Sequence, residues 1–405
     1  MYFKYLSVIW FLLMTLNACE SQEQTNQMTT PTFQEDLEFL QQYGEIQTLS
    51  NPQGGIVALS AQYQGRVMTS AFSRRSASLG WINHDFIMTQ ETGTQFDNYG
   101  GEDRFWLGPE GGQFSLYFPR ASEFIFSKWQ VPKVLHTGEW SILKESAESV
   151  TFTREMNITN YSGTTFELEI NRTVRLLNVE AFDHSFGVTL PSDIDYVGYE
   201  TANSVTNTGS ETWTPDTGLL SIWILGMYNP FEQAYVVIPF ETDAEGEIVN
   251  DDYFGEVPDS RLDIRDDYIM FLCDGEYRSK IGLGPNRVLP NLGSYIPSKN
   301  LLTLIHYNKP EDADRYVNSM WEIQEEPYEG DVVNSYNDGP PEPGVPALGG
   351  FYELETSSPA LALSPGESYT HIHQTVHISG NEEQLNPLAE NVLGVSVSTI
   401  AEGIE

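Results

Sequence analysis

The sequence predicts an all-β protein, a large antiparallel β-sandwich preceded by one short helix. From residue 55 onward, short runs rich in β-branched and aromatic residues are separated by Gly, Asn, Asp and Pro at fairly even spacing, which is typical of sandwiches and barrels. Helical periodicity is convincing only near the start, with 312–321 as a second candidate. No repeat or shift in composition divides the 405 residues, so we expect 32–405 to form a single domain.

The first residues form a targeting signal. An apolar run, 6–16, is too short to span a membrane comfortably, and Ala18 places a small residue directly ahead of Cys19, as in a bacterial lipoprotein signal. We therefore interpret 1–19 as a signal peptide that ends at a lipidated Cys19, and 20–31 as a flexible tether. The alternative is an ordinary secretory signal with an incidental cysteine.

The predicted acyl anchor places the protein at a lipid bilayer of the bacterial cell envelope, on the periplasmic or the surface face of the outer membrane. With 20 Lys and Arg against 58 Asp and Glu, the formal net charge is -38, which excludes nucleic acid as a partner. After Cys19, Cys273 is the one remaining cysteine, so no intrachain disulfide is expected. We expect a monomer.

The helix near the start has a clear beginning. Thr32 and Glu35 have the spacing of a capping box, and Phe33, Leu37 and Leu40 share one face, which predicts a short amphipathic helix packed against the sandwich.

The strands are predicted from alternation and turn residues. Gln64-Gly65 joins 56–59 to 66–70 as a hairpin, and a turn at 160–163 joins the alternating segments 150–156 and 166–174, each with one buried face. More continuously apolar strands are predicted at 219–225, 234–238, 268–273 and 301–305. Two late strands, at 351–356 and 370–379, are predicted after a Pro-rich loop at 339–346.

Residues 100–110 combine charged groups and aromatic rings between glycines. The segment contains Glu102, Arg104, Trp106 and Glu110. A planar guanidinium binds hydroxyl or carboxylate oxygens, and an indole offers an apolar face to a sugar ring. The composition therefore favours the floor of a saccharide pocket. The alternative is an exposed loop with a structural Arg–Glu pair.

A second polar concentration lies late in the chain. If 351–356 is a strand, Glu353 and Glu355 point to the same face, roughly 6–7 Å apart along it. Two carboxylates on an inner face repel each other, so one is expected to be protonated, paired with a cation or bound to a metal, which makes general acid or base catalysis a candidate role. The alternative is an outward acidic face.

Histidines follow on the next predicted strand. His371 and His373 can meet a common ligand, whereas His377 lies roughly 20 Å from His371 along an extended chain, which excludes a metal site made from all three. A site with two histidines would take carboxylates from elsewhere. The alternative is neutral histidines that bond to substrate or backbone.

Three further features are weaker. Asn337 and Asp338 lie in a predicted turn and are candidates to contact sugar hydroxyls. The charges in 274–280 indicate a structural turn. The acidic stretch 243–252 offers oxygen ligands without the spacing of an EF-hand, so no cofactor is expected, with a divalent ion such as calcium as the alternative.

A family resemblance rests on 62–70, 100–110, 223–227, 274–282, 351–359 and 365–367. These segments resemble a family of uncharacterised bacterial lipoproteins grouped with galactose-mutarotase-like (aldose 1-epimerase-like) proteins, and the similarity covers most of the mature chain. The resemblance implies an antiparallel β-supersandwich with a concave sugar-binding face. In mutarotases a Glu acts as base and a His as acid at the anomeric carbon. Glu355 or Glu353 are candidates for the first role, and His371, His373 or His184 for the second.

The leading hypothesis is a membrane-anchored protein that binds a saccharide in a cleft on the β-supersandwich. Acid–base chemistry of the epimerase kind, or a lyase or hydrolase variant on the same scaffold, would make it an isomerase or another carbohydrate-active enzyme. The alternatives are a non-catalytic glycan-binding lipoprotein and a structural envelope protein. The predicted cleft is lined by Arg104, Trp106, Glu110, Glu355, His371 and His373.

Overall fold

The computed structural model describes residues 30–231 and 233–404, and helix α1 (Phe33–Leu40) is the first helix among them. The Thr32 hydroxyl accepts a hydrogen bond from the Glu35 amide, and the Glu35 carboxylate accepts one from the Thr32 amide at 2.8 Å. The predicted capping box is therefore present. The signal peptide 1–19, with Cys19, and the tether up to residue 29 lie outside the described residues.

The strands of the described residues form three antiparallel sheets. Their bounds are β1 (Gln47–Ser50), β2 (Ile56–Ser60), β3 (Arg66–Ala71), β4 (Arg104–Gly108), β5 (Ser141–Glu145), β6 (Ser149–Thr159), β7 (Thr165–Leu176), β8 (Asp195–Asn207), β9 (Ser221–Tyr228), β10 (Tyr235–Pro239), β11 (Leu262–Ile264), β12 (Tyr268–Leu272), β13 (Ser279–Leu283), β14 (Asn291–Ile296), β15 (Leu301–Tyr307), β16 (Val333–Asn337), β17 (Tyr352–Ser357) and β18 (Ser368–Ser379).

The turn chemistry read from the sequence places the hairpins correctly. Gln64 and Gly65 have φ of +67° and +61° between β2 and β3, a conformation that Gly adopts without strain. Between β6 and β7, the Asn160 side chain accepts hydrogen bonds from the amides of Gly163 and Thr164 at 3.0 and 2.9 Å. Both predicted hairpins are confirmed.

Two large sheets face each other. One has five strands in the order β13-β16-β17-β9-β4, and the other has ten in the order β11-β12-β10-β14-β15-β18-β8-β7-β6-β5. A smaller sheet contains β1 to β3. Apolar side chains between the large sheets form the core, for example Leu354 with Ile281 and Ile305. The predicted all-β antiparallel supersandwich is confirmed.

Helices cover the opposite face of the ten-stranded sheet. Leu385 and Leu388 of the C-terminal helices pack against Leu304 and Val376 of the sheet. None of the helices in 30–231 and 233–404 is long and apolar enough to cross a membrane. The remaining helices are α2 (His84–Thr89), α3 (Lys133–His136), α4 (Val179–Phe186), α5 (Glu382–Leu393) and α6 (Val397–Glu402), with 3-10 turns at Phe126–Lys128 and Pro297–Lys299.

Two helical predictions are wrong. Residues 312–321 are not helical, because the Tyr316 backbone bonds to Tyr328 and Gly330 instead of to its own segment. Helix α5 is longer than α1, although no second long helix was expected. Pro387 lies inside it and weakens the helical pattern, while the Asn381 and Gln384 capping box marks its start.

Candidate functional site

A pocket opens on the face of the five-stranded sheet that is turned away from the ten-stranded sheet. Side chains that are paired across neighbouring antiparallel strands point to the same face. The register aligns Lys280 with Tyr336 and Glu353, and Glu355 with Leu225 and Arg104. All five strands therefore contribute side chains to one wall of the pocket.

The pocket joins aromatic rings to a balanced set of charges. It encloses about 510 Å³ of empty space, its open mouth included. Loops before and after the strands add Phe96, Phe126, Trp129, Phe254 and Trp321 to the wall. The full lining is Phe96, Arg104, Trp106, Glu110, Phe126, Trp129, Trp223, Leu225, Phe254, Arg278, Lys280, Trp321, Tyr336, Leu348, Phe351, Glu353 and Glu355.

Two buried ion pairs lie on the floor of the pocket. Arg104 pairs with Glu353, and Lys280 Nζ lies 2.9 Å from Glu355 Oε2. The Trp223 indole also donates to Glu355 Oε2 at 2.9 Å. The Arg104 guanidinium lies 4.5 Å from the centre of the Trp106 ring, a cation–π distance. Each carboxylate is thus held in a fixed orientation by a cation.

Burial shifts the acidities in the pocket. It raises the pKa of Glu353 to about 8, against the opposing charge of Arg104 and with the support of Glu355. Burial likewise raises the pKa of Glu110, while the charge of Lys280 lowers it. Burial disfavours the charged form of Lys280, but Glu355 and Glu110 outweigh it and raise the Lys280 pKa. Glu353 and Glu110, whose carboxyl groups tend to keep a proton, therefore lie beside Glu355, whose carboxylate is held by Lys280.

Several polar atoms of the lining are buried without a hydrogen-bond partner among residues 30–231 and 233–404. They include Glu355 Oε1, Arg104 Nε and the indole nitrogens of Trp106 and Trp129. Buried polar atoms are nearly always hydrogen-bonded in folded proteins. These atoms therefore keep hydrogen-bonding capacity that no group of the described residues uses.

The structure brings together five of the residues that the sequence singled out. Arg104, Trp106, Glu110, Glu353 and Glu355 all line the same pocket, although about 250 positions separate the two segments. Glu353 and Glu355 share a face of β17, as predicted.

The structure does not bring His371 and His373 to the pocket. Both lie on the inner face of β18, where their rings contact the Thr356 hydroxyl at 2.8 and 2.9 Å. Thr356 follows Glu355, so its side chain points to the opposite face of β17. Burial lowers the pKa of each histidine to about 3. The two rings are neutral groups of the core, which corrects their predicted place in the cleft.

Glu102 and His184 also lie away from the pocket. Glu102 is fully buried, and its carboxylate accepts hydrogen bonds from Ser70 and contacts His377 Nε2 at 2.8 Å. His184 is exposed on α4. None of the histidines in the described part of the chain lines the pocket, so the acid that the family resemblance implies has no histidine candidate there.

Asn337 and Asp338 bond within the protein. Asn337 ends β16 instead of lying in a turn, accepts a hydrogen bond from the Gly275 amide and donates to the Tyr277 carbonyl. Asp338 accepts bonds from the amides of Gly349 and Gly350 at 2.8 Å. Asp338 therefore orders the loop that carries Leu348 into the pocket, and neither side chain lines it.

Two cations of the pocket lining, Arg278 and Lys280, were not predicted from the sequence. Arg278 and Lys280 were interpreted as part of a charged turn, but Lys280 belongs to β13. Trp223 was predicted to lie in a strand, and no site role was assigned to it. Its place beside Trp106 follows from the strand register, which local sequence patterns do not contain.

No group of three His, Cys, Asp or Glu side chains in 30–231 and 233–404 is arranged to hold a metal ion. The acidic stretch 243–252 forms no such group.

Comparisons with known proteins identify the family. Residues 31–404 match the sequence model of a family of unknown function, DUF6786. The chain belongs to this family. No curated protein matches it in a sequence comparison.

Solved structures share the fold. The DUF6786 chain is similar to the Slr1438 protein from Synechocystis sp. PCC 6803, with 10% identity, a TM-score of 0.50, and 83% of this chain and 96% of that chain covered. It also matches a galactose mutarotase related enzyme from Lactobacillus acidophilus with 12% identity and a TM-score of 0.45, and the match covers 82% of this chain and 97% of that chain. A galactose mutarotase-like protein from Lactobacillus casei matches with 12% identity and a TM-score of 0.45, and the match covers 82% of this chain and 100% of that chain.

Proposed function

We propose that the pocket on the five-stranded sheet binds a saccharide. The observation that carries the proposal is the convergence of aromatic faces with two buried ion pairs, Arg104–Glu353 and Lys280–Glu355, on the floor of one pocket. Sugars present apolar C–H faces and rings of hydroxyls. Aromatic side chains suit the first, and fixed carboxylates and guanidinium groups suit the second.

Calorimetric titration tests this proposal. The full chain, purified in detergent, is titrated with a panel of hexoses, pentoses and disaccharides. Replacing Arg104 with Gln removes a charged donor and is expected to weaken binding by roughly 10-fold or more, since hydrogen bonds to charged groups contribute about 1.5–3 kcal/mol. Arg175, which is half exposed and pairs with Glu200 outside the pocket, provides the matched control. Equal affinities of Arg104→Gln and wild-type protein contradict the proposed site.

Acid–base chemistry at the bound sugar is the second candidate function. Lys280 and Trp223 hold the Glu355 carboxylate, while Glu353 and Glu110 have raised pKa values and can keep a proton. Neighbouring carboxyl groups with such different environments suit a base and an acid. In this arrangement Glu355 is the base and Glu353 or Glu110 the acid.

A comparison of binding with turnover tests the catalytic role. Glu355→Gln is expected to lower the rate of anomer exchange, followed by NMR, by at least 100-fold, while sugar binding persists. His373→Gln is the control, because the His373 ring lies behind the sheet and is not expected to change turnover. Binding without turnover in the wild type supports a non-catalytic glycan-binding protein.

We propose further that Cys19 is lipidated and anchors the protein in the cell envelope. The support is the apolar run 6–16 with Ala18 ahead of Cys19. Cys19→Ser is expected to release the protein from the membrane fraction of cells that make it. Retention of the variant in that fraction contradicts a lipid anchor at this position.

A further inference from the structure

One cation of the pocket lining has no carboxylate partner. Arg104 pairs with Glu353 and Lys280 with Glu355. Arg278 is the third cation of the lining, and it makes no ion pair with any carboxylate of residues 30–231 and 233–404. Glu110 is the one lining carboxyl outside the two pairs, and it forms no ion pair with Arg278. Arg278 is therefore the one cation of the lining without a carboxylate partner among the described residues.

Aromatic rings hold the Arg278 side chain in place. Its guanidinium carbon lies 3.5 Å from the centre of the Phe254 ring, with Phe126 and Trp321 at 5.4 and 5.7 Å. Stacking uses the flat faces of a guanidinium and leaves the N–H groups in its plane available for hydrogen bonds. The Arg278 Nε is buried without a partner. Arg278 thus presents an oriented donor group to whatever occupies the pocket.

We propose, on the basis of the saccharide-binding function above, that the ligand carries a carboxylate, as a uronic acid does, and that Arg278 binds this carboxylate beside Phe254. A planar carboxylate matches the guanidinium fork, which can donate two parallel hydrogen bonds to it. Hydroxyls of the same sugar ring are expected to face the Arg104–Glu353 and Lys280–Glu355 pairs on the pocket floor.

The overall charge of the protein does not oppose this assignment. The formal net charge is -38, which repels anions at long range. Fields from exposed charges are screened beyond about 8–10 Å at physiological salt, whereas Arg278 acts at contact distance inside a pocket lined by aromatic rings. Net charge therefore slows the approach of an acidic sugar more than it weakens its binding.

Matched pairs of neutral and acidic sugars test the proposal. The full chain is titrated with glucose against glucuronate and with galactose against galacturonate, and glucose 6-phosphate and glucose 6-sulfate report on tetrahedral anions. The wild type is expected to bind the uronate of at least one pair roughly 10- to 100-fold more tightly than the neutral sugar. This ratio is expected to fall as salt rises.

The variants locate the effect. Arg278→Gln is expected to bring the ratio of uronate to neutral affinity to within about threefold of one, and Arg278→Lys to restore part of it, since a lysine keeps the charge but not the planar fork. Arg175→Gln is the control and keeps the wild-type ratio. Melting curves confirm that each variant is folded.

Each outcome has a distinct meaning. Sugar binding without a preference for the uronate, or a preference that survives Arg278→Gln, overturns the carboxylate assignment and leaves the saccharide pocket intact. Tighter binding of the phosphate or sulfate than of the uronate also overturns it. No binding of any sugar by folded wild-type protein overturns the proposed function together with this inference.

Discussion

Removal of the lysine beneath the pocket offers a quantitative test of its buried charges. Side-chain exposure is 5% for Lys280 and 1% for Glu355. Lys280→Met keeps most of the apolar stem and leaves the Glu355 carboxylate buried without its cation. Breaking a buried pair in this way costs roughly 3–5 kcal/mol. Trp223 still donates to Glu355, so we expect the lower end, about 3 kcal/mol of unfolding free energy.

A second change, at Glu355, tests whether the loss of stability comes from the unpaired charge. With Glu355→Gln added, the neutral amide needs no cation, and we expect the double variant to lie within about 1 kcal/mol of the wild type. Glu355→Gln alone is also expected to cost about 3 kcal/mol, because it leaves Lys280 buried without its carboxylate, so the coupling between the two changes is about 5 kcal/mol. Equilibrium unfolding in urea, followed by tryptophan fluorescence, gives the free energies for the four proteins of the cycle.

A surface pair provides the reference. Arg175 is about half exposed and pairs with Glu200 at 2.7 Å. Arg175→Met is expected to cost about 1 kcal/mol or less, because solvent screens such pairs. If the double variant of the pocket is no more stable than Lys280→Met alone, the loss comes from packing, and the account of Glu355 as a carboxylate held by Lys280 fails.

Further predictions concern pH and ligand stacking. The pKa of Glu353 is raised from 4.5 to about 8, so its contribution to stability is present below pH 4.5 and lost as pH rises toward 8. Glu353→Gln is expected to flatten this decline of the melting temperature with pH. An unchanged decline refutes the raised pKa of Glu353. The pKa values of His371 and His373 are lowered from 6.5 to about 3, so their contribution to stability is present above pH 6.5 and lost as pH falls toward 3. Replacing both with Gln should make the unfolding free energy less sensitive to acid. A steeper loss of stability in acid contradicts neutral histidine rings. Trp321→Ala is expected to weaken saccharide binding about fivefold, from roughly 1 kcal/mol of aromatic contact, whereas Trp140→Phe, in the core against Phe105, should lower stability and leave affinity unchanged.

The sequence predicted two of the five strands that line the pocket, β9 and β17. Alternation within 351–356 assigned Glu353 and Glu355 to a common face, and glycines around Arg104 and Trp106 marked a polar segment. Both signals are local, since side-chain direction in a strand follows from its period of two. The capping box at Thr32 and the hairpin at Gln64 were found for the same reason.

The rest of the site depends on strand order, which local patterns do not contain. His371 and His373 follow Glu355 closely in sequence, but β18 belongs to the opposite sheet, so their rings face the core. Lys280 reaches Glu355 because β13 and β17 both pair with β16. The aromatic rings of Phe254 and Trp321 arrive on long loops without a strand pattern. Such convergence is a property of the assembled sheets.

The late position of β17 and β18 in the chain has a consequence for folding. β17 joins β16 to β9 in the middle of its sheet, and β18 joins β15 to β8 in the other. Until residues 352–379 leave the ribosome, the emerging polypeptide has only separate halves of both sheets, each with an open edge ready to pair with other chains. Synthesis of this protein therefore passes through a long interval of exposure to aggregation, which ends when the two C-terminal strands are inserted.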